Sequence, residues 1–370
     1  MSNRVHVAGF VAVALIGVAA VFALAFASGA LAADRVVNVL NWTNYIDDTA
    51  IPAFEKKTGI KVNYDLMDSN EVLEGKLLAG NSGYDVVVPS GPFLGPQIKA
   101  GLYQPIDRAK LKNYGNLDPA LLKQVEAFDP GNRYGVPYMW GTSGIAFNEA
   151  AIKKRMPDAP ITSWRMLFDP KVVARFADCG VTVLDAGDEV FESALIYLGR
   201  DANSESAEDL EAAVGVIKAI QPYVRYFQST SYIDDLANGE ICLAMGWSGD
   251  VFQAQQNERK GVEIRYEIPK EGGIVWFDSM AIPKDAPHVD GAYAWIDNIL
   301  DPEVVARISN AMHYANANLA ARKLLDPSIG DNPWIFPGPD VMQRLISIKP
   351  NTLHYVRVRN RAWAQAKAGR

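Results

Sequence analysis

The sequence predicts an α/β protein of two lobes, each a mixed sheet flanked by helices, with the chain crossing between lobes twice through a hinge. Three observations carry this expectation. At 370 residues the chain exceeds what one hydrophobic core ordinarily organises. Strand-like and helix-like segments alternate through its first third, the pattern that builds helix-covered sheets. The alternation then stops in an apolar stretch and begins afresh near Val181, before late strands lead back toward the first series.

The β-branched run VVNVL at 36–40 reads as a strand, and a helical stretch follows at about 50–58. IKVNYDL, EVLEGKLLAG and YDVVVP continue as strand, helix and strand. From Tyr134 the chain runs YGVPYMW into the Gly-rich GTSGIAF, and a lobe boundary near 138 fits there. VTVLDA opens the second series, followed by helical EVFESALIYLGR, a longer helix ending near Gln221, the strand ICLAMGW and a helix over about 250–260. Strands IRYEIP and IVWFDSMAIP then precede a helix near 292–300 that returns the chain to the first sheet. The expected division is 34–138 with about 270–325 in lobe 1, and 139–269 with a C-terminal extension of about 326–370 in lobe 2. That extension is Pro-punctuated, then basic, and ends in the helix-like NRAWAQAKAGR.

The N-terminus carries Arg4, an uncharged run from Val7 to Ala33, and the small-x-small exit Ala30-Leu31-Ala32. This predicts a signal peptide over 1–33, removed on export, rather than a retained anchor, although the run is long enough to span a bilayer. Every later apolar run is broken by charge, Gly or Pro, so the mature chain is expected to be soluble and periplasmic. A formal charge of −7 disfavours nucleic acid and suits a cationic ligand. Cys179 and Cys242 could form a disulfide in an oxidising compartment, or remain as two buried thiols.

Catalytic and metal signatures are missing from the sequence. His6, His288, His313 and His354 are dispersed, with no His-x-x-x-His pair for a metal. The strings GTSGI and GWSGD place the second Gly directly after Ser and so are not nucleophile elbows. No phosphate-loop or dinucleotide-binding string follows a strand. Neither a cofactor nor catalysis is expected.

What remains is a recurrence of acids beside rings where strands end. Glu189 follows VTVLDA, Asp250 follows ICLAMGW with Trp247 three residues earlier, and Asp278 directly follows Trp276 and Phe277. Trp42 and Tyr45 mark the loop after the first strand, and Ser90 the loop after the third. Ligands of open α/β sheets collect beyond the carboxyl ends of strands. A buried ammonium needs an anionic partner, and ring faces add cation–π attraction while suiting a methylene chain. Taken singly, Glu189 is also what a helix dipole favours, Asp250 could be an N-cap, and the tryptophans could be core rings. Their joint placement points to a diamine or polyamine cleft.

Along nearly the whole mature chain, stretches such as NWTNYI, FEKKTGIKVNYD, DSNEVLEGKLLAG, PYMWGTSGI, RYFQSTSYIDDLANGEICLAMGW, YANAN and VRVRNRAW resemble the polyamine-binding periplasmic proteins of ABC importers. The similarity is closest to their putrescine-binding branch. It implies the two-lobed periplasmic binding protein fold of type II, a ligand caught between the lobes, delivery to an inner-membrane permease, and a monomer. The family's pocket pattern falls on Trp42, Thr43, Tyr45, Ser90, Glu189, Trp247, Asp250, Trp276, Asp278 and Tyr314. By that resemblance Asp250 and Asp278 would anchor ammonium groups, Glu189 would assist directly or through water, and Trp247, Trp276 and Tyr314 would line the methylene chain. Thr43 and Ser90 would give polar contacts. Asn44 stands where relatives often carry an acid, and Gly91-Pro92 replaces small polar residues. Putrescine is the first expectation and spermidine the second. The rival from another class is a hydrolase using Glu189 with Asp250 or Asp278 as acid and base.

Overall fold

The computed structural model describes residues 35–369, so the expected signal peptide lies outside the described residues. Strand β1 (Val36–Trp42) lies between β2 (Lys61–Met67) and β3 (Val86–Val87), parallel to both. A helix over Ala50–Thr58 joins β1 to β2 and stops at Gly59, whose φ of 70° is the left-handed conformation that closes helices. The helix Asn70–Leu78 follows β2 and is capped by the Ser69 hydroxyl, which accepts from the Val72 amide. Only two residues of YDVVVP pair as strand, because the chain turns at Pro89 into the helix Gly91–Lys99.

The structure differs most from the sequence expectation at YGVPYMWGTSGIAF. Where the sequence shows only an apolar segment entering a Gly-rich one, with a lobe boundary near 138, residues Gly135–Asn148 form a single strand, β4, buried along all 14 residues. Its glycines mark close approaches rather than flexibility: a Cβ on Gly141 would lie 2.6 Å from the Trp276 ring. Beyond β4 come β5 (Val181–Val183), β6 (Tyr226–Phe227), β7 (Leu243–Trp247) and β8 (Ile264–Glu267). Then follow β9 (Gly273–Ala281), β10 (Ala315–Asn316) and β11 (Leu345–Ser347). The strands run β2-β1-β3-β9-β4-β7-β5-β6, with β10 and β8 on β4 and β11 on β9.

Antiparallel β4 and β9 thus join two parallel sets. At one end of the pair Ala281 meets Val87 of β3 and Gly135 of β4; at the other Gly273 meets Leu345 of β11, and Ser143 of β4 faces Trp247 of β7. Their register shifts between Pro137 and Trp140. The C-terminal helix, Leu353–Lys367, packs on the β5–β7 side, with Trp363 edge-on to Phe191 at 5.5 Å and to Phe227 at 5.4 Å. On the same side the sulfurs of Cys179 and Cys242 lie 1.94 Å apart, with Cα atoms separated by 5.6 Å. No helix among the described residues is long and apolar enough to cross a membrane.

Candidate functional site

All ten residues singled out in the sequence line one cavity, with about 560 Å³ of atom-free space that opens in part to solvent, between the β1–β3 and β5–β7 sides. Its centre is built from three carboxylates delivered by three different elements.

Asp278 sits within β9, beside the end of β3, where it bridges to Ser90. Its carboxylate accepts from the Ser90 hydroxyl at 2.6 Å and the Tyr45 hydroxyl at 2.8 Å. Ser90 is fixed by Asn70, whose side chain accepts from the Ser90 amide at 3.0 Å and donates to its Oγ at 3.1 Å. Tyr45 is brought inward by the turn after β1, where Asn44 takes a φ of 55° that Asn tolerates better than most residues.

Asp250 comes from the first turn of the helix Ser248–Gln256, which begins directly after β7. It does not act as the N-cap, a position held by Trp247. Its carboxylate instead accepts from the hydroxyls of Tyr314 at 2.6 Å and Tyr232 at 3.0 Å. Gly249 makes this possible, since a Cβ there would stand 2.5 Å from the Tyr314 ring. Glu189 lies in the first turn of the helix Gly187–Tyr197, after β5. It accepts from Trp247 Nε1 at 3.0 and 3.2 Å and from the Ser143 hydroxyl.

The rings close the cavity around these acids. Trp42 and Trp247 meet edge to face at 6.3 Å, Tyr45 and Tyr314 at 5.1 Å, and Trp276 and Tyr314 at 5.5 Å. Trp42 is anchored by its Nε1, which donates to the Val88 carbonyl at 2.9 Å. Trp276 Nε1 is buried without a partner. Thr43 holds the rim through its amide, which donates to the Met67 carbonyl at 3.1 Å.

No Lys, Arg or His lines the cavity, and none of the three acids has an ion pair among the described residues. Burial therefore dominates their titration. Loss of water pushes Asp250 up to about 6 and Asp278 to about 7, against the hydroxyl donors that pull each down. Glu189 is pushed up to about 8 by burial and then by the neighbouring Asp188 charge. Such a cavity is a pre-formed demand for positive charge, with ring faces for the apolar part of whatever carries it. Among the described residues no group of three or more His, Cys, Asp and Glu is arranged to hold a metal ion.

The sequence reading missed the groups that hold the acids. Tyr232, Ser143 and Asn70 each donate to a pocket acid or to its hydroxyl partner. Tyr232 and Asn70 lie in stretches that carry the family resemblance, but a hydroxyl or amide has no spacing signal of its own. Asn44, Met67, Asp68, Ser229, Thr230 and Ile233 complete the wall.

Residues 49–337 match the family of bacterial extracellular solute-binding proteins. The chain is 44% identical over 374 residues to a putrescine-binding periplasmic protein of Escherichia coli K12, covering 100% of this chain and 99% of that one. It is also 44% identical to a putrescine-binding periplasmic protein of Pseudomonas aeruginosa UCBPP-PA14, over 92% of this chain and 94% of that one. Among solved structures it superposes on a Listeria monocytogenes protein assigned to a spermidine/putrescine ABC transporter. That match has a TM-score of 0.84 and 31% identity, over 91% of this chain and 100% of that one. The two-lobed type II fold expected from the sequence is the fold of these relatives, which are substrate-binding transport proteins and not enzymes. The chain belongs to the bacterial extracellular solute-binding protein family.

Proposed function

We propose that the protein is the periplasmic substrate-binding component of an ABC importer, closing two lobes over putrescine and delivering it to an inner-membrane permease. The observation that supports this most is an aromatic cavity holding three buried carboxylates, with Asp68 as a fourth on its wall, and no basic side chain. Asp250 and Asp278 anchor the two ammonium groups, Trp247, Trp276 and Tyr314 flank the methylene chain, and Trp42, Thr43, Tyr45 and Ser90 complete the grip. The acids converge from three elements on both sides of the β4–β9 pair, so a ligand touching all of them bridges the lobes. The lobe boundary is placed near 138 and 270, export follows cleavage of the leader, and the working form is a monomer.

The order in which the three buried acids ionise favours a diamine over spermidine. Glu189, pushed up to about 8, is mostly protonated at neutral pH, whereas Asp250 and Asp278 at about 6 and about 7 ionise first. Asp250 and Asp278 then match the two ammonium groups of a diamine, with Asp68 as the remaining acid on the wall. The test is a thermal-shift panel of putrescine, cadaverine, spermidine, spermine, arginine and agmatine. Putrescine should stabilise the protein most, and no shift with any amine would defeat the reading.

A further inference from the structure

Behind the ligand cavity, on the far side of Trp276 and Glu189, a second crevice runs between the lobes and is lined by Glu74, Asp188 and Arg359. Glu74 and Glu71 sit one turn apart on the helix Asn70–Leu78 of the first side. Asp188 and Glu192 sit on the helix Gly187–Tyr197 of the second. Arg359 projects from the C-terminal helix and is only 3% exposed. It donates to Asn351 at 2.7 Å, yet its Nε is buried without a partner and no carboxylate of the described residues lies within ion-pair distance of it. Glu192 is 5% exposed and likewise leaves one buried oxygen unpartnered.

Glu74 and Asp188 thus line the crevice with one guanidinium that has no ion pair, Glu192 lines it beside Asp188, and Glu71, one turn from Glu74 and on the wall of an adjoining cleft, lies within electrostatic reach of Asp188 and Arg359. Like charges brought together in a poorly hydrated crevice oppose the closure that brings them together, and an opposite charge among them offsets that cost. Burial and then Asp188 push the Glu71 carboxyl up to about 7, while Arg359 pulls it down. Burial and Asp188 also raise Glu192, again against Arg359. Glu205, on the lobe of Arg359, feels the same guanidinium and is held low by its bonds to Thr352 and Asn351 against burial.

We infer that Arg359 is a positioning residue for ligand binding: it neutralises the carboxylates that closure brings face to face beside the cavity, and so favours the closed lobes without touching the ligand. This rests on the closure-over-ligand reading above. Its counterpart is Glu71, whose charge works against closure.

The test compares Arg359→Gln, Arg359→Lys and Glu71→Gln, singly and with Glu71→Gln added to Arg359→Gln. Putrescine affinity is read by calorimetry and the inter-lobe distance by a fluorescent label pair. Arg359→Gln should weaken putrescine at least tenfold and lengthen the mean distance, with Arg359→Lys within about threefold of the parent. Adding Glu71→Gln should recover most of the loss, which a purely structural arginine would not allow. Glu71→Gln alone should shift the ligand-free distances toward closure. A folded Arg359→Gln protein with parental affinity and distances overturns the inference, as does failure of Glu71→Gln to recover it. If Arg359→Gln does not fold, unchanged ligand-free distances in Glu71→Gln overturn it instead. A parent protein that binds no amine defeats the proposed function, while the ligand-free distances still decide the role of Arg359.

Discussion

The ligand cavity and the crevice behind it face the same difficulty, buried negative charge, and meet it in opposite ways. In the cavity each acid is surrounded by neutral donors, Tyr45 and Ser90 for Asp278, Tyr232 and Tyr314 for Asp250, and no cation of the chain is present. In the crevice the acids have few donors, but the chain brings its own guanidinium, Arg359. Where the missing charge is to come from outside, the protein fixes the carboxylates with hydroxyls and leaves the cation's place open. Where no ligand arrives, it supplies the charge itself.

The hardest test of this contrast is Asp278→Asn, which keeps the shape and the hydroxyl contacts but removes the charge. Loss of one partner of a buried charge pair costs about 2 to 5 kcal/mol. Calorimetry should therefore show putrescine affinity falling by that amount with an unchanged circular dichroism spectrum. An equal loss from a crevice substitution such as Glu74→Gln would erase the distinction between the regions.

Next in size is the stabilisation of the free protein by ligand. Putrescine at ~100 times its dissociation constant should add about 2.7 kcal/mol to the unfolding free energy. A protein carrying both Asp250→Asn and Asp278→Asn should lose that response in a thermal melt.

Proton linkage comes third. The cavity acids titrate above their ordinary values of 3.8 for Asp and 4.5 for Glu because burial disfavours their charged forms. Their contribution to the stability of the ligand-free protein is thus greatest below those ordinary values and is lost as pH rises through about 6, 7 and 8. Amine binding needs the ionised forms and runs the other way. Affinity should fall by about 1.4 kcal/mol per pH unit below 7 through Asp278 alone, with Asp250 adding to the slope below 6. Calorimetry in buffers of different ionisation enthalpy should count protons released on binding at pH 6. Proton uptake there would place the ammonium groups elsewhere.

The smallest effect belongs to Glu189→Gln. If that residue is already largely protonated at pH 7, the exchange alters hydrogen bonds to Trp247 and Ser143 and should cost about 1 kcal/mol or less. A loss matching that of Asp278→Asn would make it a third charged anchor and reopen the case for a triamine.

Much of this was legible from the sequence because the cavity acids and rings sit in or directly after apolar strands, at Trp42, Trp247–Asp250 and Trp276–Asp278, where local pattern fixes position. The crevice left no such trace. Glu71, Asp188, Glu192 and Arg359 lie on exposed-looking stretches of three helices, and only the tertiary fold makes Arg359 one of the most buried charges of the chain. The length of strand β4 was not legible because Gly141 and Gly144 carry no strand signal, when each in fact admits a neighbour, the Trp276 ring and the Glu267 carbonyl. Local composition cannot separate a glycine that bends from one that makes room.

The β4–β9 pair has one more consequence. Under the proposed closure the two passages between lobes would be hydrogen-bonded neighbours, since β4 and β9 pair, and relative motion would follow one principal coordinate, like the travel of a latch. A membrane partner that senses the spacing of the lobes would then have a single quantity to read, whichever amine is held inside. Substitutions on the cavity wall can retune the cargo while that mechanical message stays the same.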